Sequence, residues 1–476
     1  MMSKNPTPPS TTGRAETSTP GKNPTRIDAI GAAMRALTTI TGSEFAERFK
    51  LRQKVDRVAY EATRTGFKTL GAATESFKKV SGGGAPKRLP DADTEARPDL
   101  FDLTLDDEQQ MITETVTDFA TETVRDFAAE VIRPAAHDAD HAAEAPASLM
   151  ARSAEIGAAL LNVPEEFEGI ATERGVVTNA LVAEALAYGD MGLALPILAP
   201  SGVATTLTQF GSDAQQKSYL PAFASEKVPA AAVVVAEPRP LFDPFDLRTT
   251  ATRVPGGFSL SGVKSMVPTA GSAELFVVAS TLDGSPTFFV VESDTDGLVV
   301  EADPSMGLRA AGLGRIVLTD VSLPADAILG GPEASPEDRM ATYADIVRLS
   351  RLGWAALAVG TSHAVLDYVT PYVKERRAFG EPIAYRQAVA FAVADMATEL
   401  DGMRLVTWRG ASRAEQGMSF AREAALARKI AADKGMRIGL DGVQLLGGHG
   451  FTKEHPVERW YRDLRAVGVA EGVVVL

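Results

Sequence analysis

Between residues 231 and 321 the chain changes texture. Seven short β-branched or apolar runs fall at 232–236, 248–254, 257–262, 274–280, 287–292, 298–301 and 315–321. Turn signals such as Pro255-Gly256-Gly257 and Asp283-Gly284 separate them. Runs this short and this regularly spaced predict strands of an antiparallel sandwich or barrel. On both sides the apolar spacing is helical. Before the strands, helices are expected at about 105–133, 146–160, 173–188 and 212–224, with Thr104 as a capping residue and Pro134, Pro164, Gly169, Gly189, Pro196 and Pro200 as punctuation. After Gly331, long helices are expected at about 337–378, 384–416 and 419–446, with Pro371 kinking the first. Their length and short connections predict an antiparallel four-helix-type bundle. The expected fold class is therefore α+β: an α domain over 101–230, a β domain over 231–335 and an α domain over 336–476.

What precedes residue 101 has another character. The net charge of −14 is an average, because residues 1–90 hold sixteen Lys and Arg against seven Asp and Glu, which is +9 and leaves −23 for the rest. An acidic body does not favour nucleic acid as the main partner. Residues 1–25 are rich in Pro, Ser, Thr and Gly and are expected to be disordered. Residues 26–80 carry Phe45, Phe49, Val55, Val58, Ala62, Phe67, Leu70, Ala73 and Phe77 at helical spacing among basic residues. Two readings stay open for this extension: a solvated helix docked on its own body, or a basic amphipathic segment on an acidic membrane surface or partner. A Gly- and Pro-containing linker covers 81–100.

Composition narrows the chemistry. There is no cysteine, so disulfides, thiolate metal sites and cysteine nucleophiles are excluded. The five histidines are His137, His141, His363, His449 and His455; only His137 and His141 have a paired spacing, in a stretch expected to be solvated. No metal site is expected. No apolar run of membrane-spanning length and no secretory leader are read from the sequence, which makes the cytosol the default compartment, with peripheral membrane contact through 26–80 left open.

Three dense motifs lie between residues 375 and 463: Glu375-Arg-Arg-Ala-Phe-Gly-Glu-Pro-Ile383 continuing to Gln387 and Ala394-Asp-Met396; Gln444-Leu-Leu-Gly-Gly-His-Gly-Phe451; and Pro456-Val-Glu-Arg-Trp-Tyr-Arg-Asp463. With Gly307-Leu-Arg309 and Asp320-Val-Ser-Leu-Pro324, they resemble the acyl-CoA dehydrogenase family of flavoproteins over about 101–476. The resemblance implies an FAD enzyme that removes an α-proton and a β-hydride from an acyl-CoA thioester and passes electrons to an electron-transfer flavoprotein. It also implies a homodimer or tetramer, a heteromer remaining open.

The family's base often lies nine residues after the Arg of the Arg-Asp pair, directly before a Gly. Arg462 and Glu471-Gly472 keep that spacing, so Glu471 is the candidate base, with Val469, Ala470 and Val473 expected to desolvate it. Relatives that carry the base on the first long C-terminal helix have it before an Arg; here that pair is Ser350-Arg351, without a carboxylate. By resemblance, Arg376, Phe379 and Gln387 would reach the flavin dinucleotide of a neighbouring subunit, and Gln444, Gly447 and Gly448 would line its adenine end. Arg351, Phe242 and Gly472 would meet the acyl thioester.

Two flavin segments depart from the family. Its TEPxAGSD loop is here Ala236-Glu-Pro-Arg-Pro-Leu-Phe-Asp243, and its GxKxWITNG segment is Gly262-Val-Lys-Ser-Met266-Val-Pro268-Thr-Ala270. Ala236, Met266 and Pro268 thus stand at flavin positions without the hydroxyl, indole or second hydroxyl found there in relatives. Val473 and Val475 replace a Thr and a Gln. Each lost hydrogen bond is worth about 0.5–1.5 kcal/mol net. The same losses support an alternative: a flavin-poor, non-catalytic partner subunit or an acyl-CoA-binding member of the fold.

Overall fold

The computed structural model describes residues 123–154, 156–171 and 174–476. The expected arm, extension, linker and Thr104 cap lie outside the described residues.

The first described helix runs through Pro134 instead of stopping there. A helical turn at Arg125–Phe127 passes into a π-helical stretch, Ala128–Ile132, and then into α1, Arg133–Ala142. A π stretch shifts the hydrogen-bond register, so a proline just after it meets a ladder already reset. α2 is Ala147–Ala154, α3 is Val176–Gly189 and α4 is Met191–Phe210. α4 was hidden in the sequence because Pro196 and Pro200 read as punctuation. Seventeen of its twenty residues are buried, and the Asp190 side chain caps it by accepting from the Leu193 amide. Burial all round outweighs the proline penalty. α4 also corrects the expectation of no membrane-length apolar run: its length and hydropathy suffice, but its apolar window is 94% buried in the core. α5, Asp213–Phe223, opens on a capping box between Ser212 and Gln215.

The strands follow as β1 (Ala231–Val234), β2 (Thr250–Val254), β3 (Gly257–Val267), β4 (Leu275–Leu282), β5 (Ser285–Glu292), β6 (Leu298–Ala302) and β7 (Gly314–Pro324). They form one curled sheet in the order β1-β4-β2-β3-β7-β6, with β5 on the other edge of β4. Most pairings are antiparallel, but β1 and β2 both run parallel to β4, so the sheet is mixed. β1 aligns with Leu275–Val278 and β2 with Thr281–Leu282, so the 235–249 loop is an excursion between two strands that run the same way along β4. β4 is buried on both faces and reads as a continuous apolar run for that reason.

The bundle is α6 (Pro336–Glu375), the short hairpin β8 (Arg377–Ala378) and β9 (Glu381–Pro382), α7 (Gln387–Glu415), α8 (Ala421–Ile430), a π stretch at Ala431–Gly435, α9 (Met436–Leu445) and α10 (Val457–Leu464). Ser335 caps α6, whose first residue is Pro336, and the helix continues through Pro371 to Glu375. α6 packs along α3, and a Cβ on Gly360 would lie 2.0 Å from the Glu184 carbonyl oxygen.

Buried polar contacts join the three layers. Gln215 donates to the carbonyls of Asp326 and Ile328. Arg462 forks onto both oxygens of Asp140 at 2.9 and 3.0 Å. Asp463 accepts from the Leu308 amide at 2.6 Å, and Arg459 reaches Asp190 at 2.7 Å. The Arg and Asp residues of the Pro456–Asp463 motif therefore hold the bundle against the first α domain and the end of the sheet.

Candidate active site

Residues 470–476 run as a strap through the middle of the molecule. The Val473 amide donates to the Val233 carbonyl at 2.8 Å, and Gly472 bridges Val234 on β1. On the other side, Ser350 and Trp354 of α6 both donate to the Gly472 carbonyl, at 2.6 and 2.9 Å. Gly472 has φ +80°, and a Cβ there would lie 2.8 Å from the Val233 oxygen, so glycine fits both the turn and the contact. Val473 to Leu476 are buried beyond it. A Cβ on Gly202 of α4 would meet the Val473 oxygen at 2.4 Å, and one on Gly353 of α6 the Val474 oxygen at 2.2 Å.

This strap places Glu471 between the sheet and α6, only 6% exposed. Its surroundings are not the apolar pocket expected from its chain neighbours. Val469 is 62% exposed and turns away. Arg351 of α6 forks onto the carboxylate instead: Nε lies 3.1 Å from Oε1 and 3.2 Å from Oε2, and Nη2 2.9 Å from Oε1. Arg428 of α8 adds a contact to Oε1 at 3.5 Å and donates to the Ala470 carbonyl at 2.6 Å. Burial lowers the Arg428 guanidinium from its ordinary value, while Glu471 opposes that shift. Oε1 thus takes three contacts from guanidinium groups and Oε2 one.

The loop after β1 closes the site from the sheet side. Tyr343 of α6 donates to the Pro244 carbonyl at 2.5 Å and stacks on Phe288. Burial raises the Tyr343 hydroxyl well above its ordinary value, and the charges of Glu471, Glu237 and Asp243 add to this. Glu237 is buried and accepts from the amides of Arg248 and Thr249. It pairs with Lys264, fully buried, at 3.1 Å. Burial pushes the Lys264 ammonium down to about 8, with Glu237 opposing. Burial works against charge on Glu237 too, but Lys264 and the two amides outweigh it and hold its carboxyl below the usual range. Arg239 binds Asp246 and lies over the Phe242 ring, so this loop is folded onto itself.

The other sequence-derived residues form two sets. Ala236 accepts from the Ser265 amide at 3.0 Å, next to Met266. β3 shifts register against β7 between Lys264 and Val267; Met266 has φ +58° there, and its amide bonds Asp303 at 3.0 Å. Pro268 follows, buried. The second set is on the bundle: Arg376, Phe379, Gln387, Gln444, Gly447 and Gly448 are all exposed, Phe379 at 95%. A Cβ on Gly447 or Gly448 would meet nothing within 4 Å, so their backbone is open to approach.

Arg428 and Tyr343 were missed in the sequence. Arg428 belongs to no local motif. Tyr343, Val347 and Arg351 share the i, i+4, i+8 face of one helix, and that spacing was the available signal for Tyr343.

Comparison with known proteins bears on this arrangement. Family models described as acyl-CoA dehydrogenase N-terminal, middle and C-terminal domains match residues 106–227, 232–321 and 342–473. The short-chain specific acyl-CoA dehydrogenase of Bos taurus mitochondria is 31% identical, over 78% of this chain and 88% of that relative. The solved butyryl-CoA dehydrogenase of Megasphaera elsdenii is 28% identical, with a TM-score of 0.66 over 78% of this chain and 95% of that one. An FAD complex of PigA is 25% identical, with a TM-score of 0.68 over the same shares. Three matched domains in order, on a fold of helices, curled sheet and helical bundle, place this chain in the acyl-CoA dehydrogenase family.

Proposed function

We propose that the protein is an FAD-dependent acyl-CoA dehydrogenase in which Glu471 takes the α-proton of an acyl thioester. The observation that carries this reading is the placement of Glu471: buried, on a fixed strap, between the sheet and α6, with Oε2 the less engaged oxygen. A carboxylate held in one orientation at a water-poor junction suits abstraction of a weakly acidic proton. Arg351 and Arg428 fix the carboxylate and load Oε1, which leaves Oε2 to receive the proton. The β-hydride leaves the substrate with the second electron pair as the 2-enoyl double bond forms.

The chain's residues fit a flavin dinucleotide. On the bundle, Arg376 would fork onto a pyrophosphate and Gln387 would donate beside it, while the open backbone of Gly447 and Gly448 admits the adenine end. On the sheet, the half-buried thioether of Met266 offers a soft apolar surface for an aromatic ring system. FAD bound there would supply the hydride acceptor. Because the bundle set is exposed and the sheet set lies on another element, a second copy of the chain would complete each site. Electron-transfer flavoprotein is the proposed acceptor of the electrons; one structural neighbour, 26% identical, carries that name.

The test is the visible spectrum of the purified full-length protein. Yellow protein bleached anaerobically by butyryl-CoA supports the reading, with Glu471→Gln keeping the flavin and losing the bleaching. Colourless protein that takes up no added FAD overturns it. One observation favours the partner-subunit alternative: the 236–246 loop spends its polar groups internally, through Arg239 to Asp246 and Asp243 Oδ1 to the Phe245 amide at 2.9 Å. Co-purification with a second, flavin-bearing chain is its signature.

A further inference from the structure

Away from Glu471, the turn between α9 and α10 gathers side chains that the proposed chemistry does not use. His449 lies on the short 3-10 helix Gly447–Phe451, and Glu454 and His455 lie just before α10. One potential ligand atom from each of the three lies within 4.8 Å of the other two. His449 Nδ1 is already 3.6 Å from Glu454 Oε2, and the two imidazole rings meet edge to face at 5.8 Å. In sequence this is His-x5-His with an adjacent Glu, without the cysteine pair that accompanies such a spacing in zinc fingers. The turn, not the periodicity of a helix, brings the residues together.

A feature beyond proximity marks the cluster. The hydroxyl of Tyr368 on α6 bonds His455 Nδ1 at 2.7 Å, which fixes the ring and leaves Nε2 free of that bond. Tyr372 packs edge to face on the same ring. Metal-binding histidines commonly have one ring nitrogen held in this way by an outer partner. His449 and Glu454 are exposed, so their side chains can close on an ion without breaking the core. Ligand bonds of about 2.0–2.2 Å put tetrahedral ligand atoms roughly 3.4 Å apart, a closure of little more than an ångström from the arrangement seen.

We propose that His449, Glu454 and His455 bind a divalent transition-metal ion. Two imidazoles and one carboxylate are a borderline donor set suited to Zn2+, with water completing four-coordination. Bound there, the ion ties the Gly447–Phe451 turn to the start of α10 and, through Tyr368, to α6. None of its ligands lies at Glu471, although the Gly447–Phe451 turn that it ties down is the one proposed to meet the adenine end of FAD.

Isothermal titration of the full-length protein with Zn2+ tests the proposal, read with the metal content after dialysis and the thermal unfolding midpoint. The expected result is one saturable Zn2+ per chain and a raised midpoint. His449→Ala and Glu454→Gln, both at exposed positions, should each weaken binding at least about tenfold, and Tyr368→Phe should weaken it about 10–100-fold through the outer shell. The exposed His137 and His141, one turn apart on α1, are the competing surface pair. A His137→Ala/His141→Ala variant should bind as the unaltered protein does. The proposal is overturned if binding is absent, if it survives His449→Ala and Glu454→Gln together, or if it disappears with His137 and His141.

Discussion

Arg351 and Glu471, 120 residues apart in sequence, meet in a forked ion pair with a shortest distance of 2.9 Å. One belongs to the longest helix among the described residues and the other to a strap that lies on β1. Their pairing sets the orientation of the carboxylate and fastens the strap to the bundle, so substitutions here should separate chemistry from stability.

Arg351→Lys keeps the charge and loses the fork. A quarter of the Arg351 side chain is exposed, and Arg428 remains in place. The expected stability loss is therefore near the lower end for charged hydrogen bonds, about 1.5 kcal/mol. Turnover should fall further than that loss explains, because Glu471 loses its fixed orientation. Urea denaturation alongside flavin bleaching by butyryl-CoA checks both. Unchanged turnover would contradict the orienting role given to Arg351.

Gly353→Ala introduces a methyl group 2.2 Å from the Val474 carbonyl oxygen. Neither the strap nor α6 can move without breaking the bonds to Gly472. Overpacking of this kind costs about 1–3 kcal/mol. Trp354 donates to the Gly472 carbonyl, so a change in tryptophan emission should accompany the lower urea midpoint.

Asp463 predicts a pH dependence of stability. Burial, with Asp190 adding to it, pushes its carboxyl up to about 8 from an ordinary 3.8. In the unfolded chain the group ionises first, so the native state holds the extra proton in between. Its contribution is fully present below about pH 4 and is lost as pH rises through about 8. In Asp463→Asn, which keeps an acceptor for the Leu308 amide, the urea midpoint should fall less steeply from pH 5 to pH 8 than in the unaltered protein.

Lys264→Met leaves Glu237 buried with only the more distant Arg239, whose Nε lies 3.7 Å from Oε2. Removing one partner of a buried pair costs about 3–5 kcal/mol, and the amides of Arg248 and Thr249 offset part of that here. A thermal midpoint lowered by several degrees is the expected outcome. Lys264→Met with Glu237→Gln should recover part of the loss.

The seven strands were legible because Gly, Pro and Asp turns cut the apolar runs to strand length. α4 was not, because Pro196 and Pro200 carry the same local signal inside a helix as between helices; only burial on every side distinguishes the two. Pro134 misled for a related reason, since the preceding π stretch absorbs its missing donor. In the candidate site, Glu471 was singled out by its distance to Arg462, and its burial on the strap could not be read from that spacing. The two guanidinium groups facing it come from α6 and α8, and no linear spacing encodes a contact across 43 or 120 residues. The histidine cluster escaped for the same reason, being made by a turn.

The strap also bears on how the chain reaches its native state. The ribosome delivers residues 470–476 after β1, α4 and α6, the elements they lie between. Until then Val233 has no strap amide to accept from, and Gly202 and Gly353 face a gap where the strap carbonyls belong. The nascent chain can form its earlier helices and most of its sheet, but the junction of all three layers closes only once the strap has joined them. Such late, long-range closure is slow and leaves apolar surface open to other chains in the meantime. The segment that carries Glu471 is thus also the one that joins β1 to α6, two elements made before it.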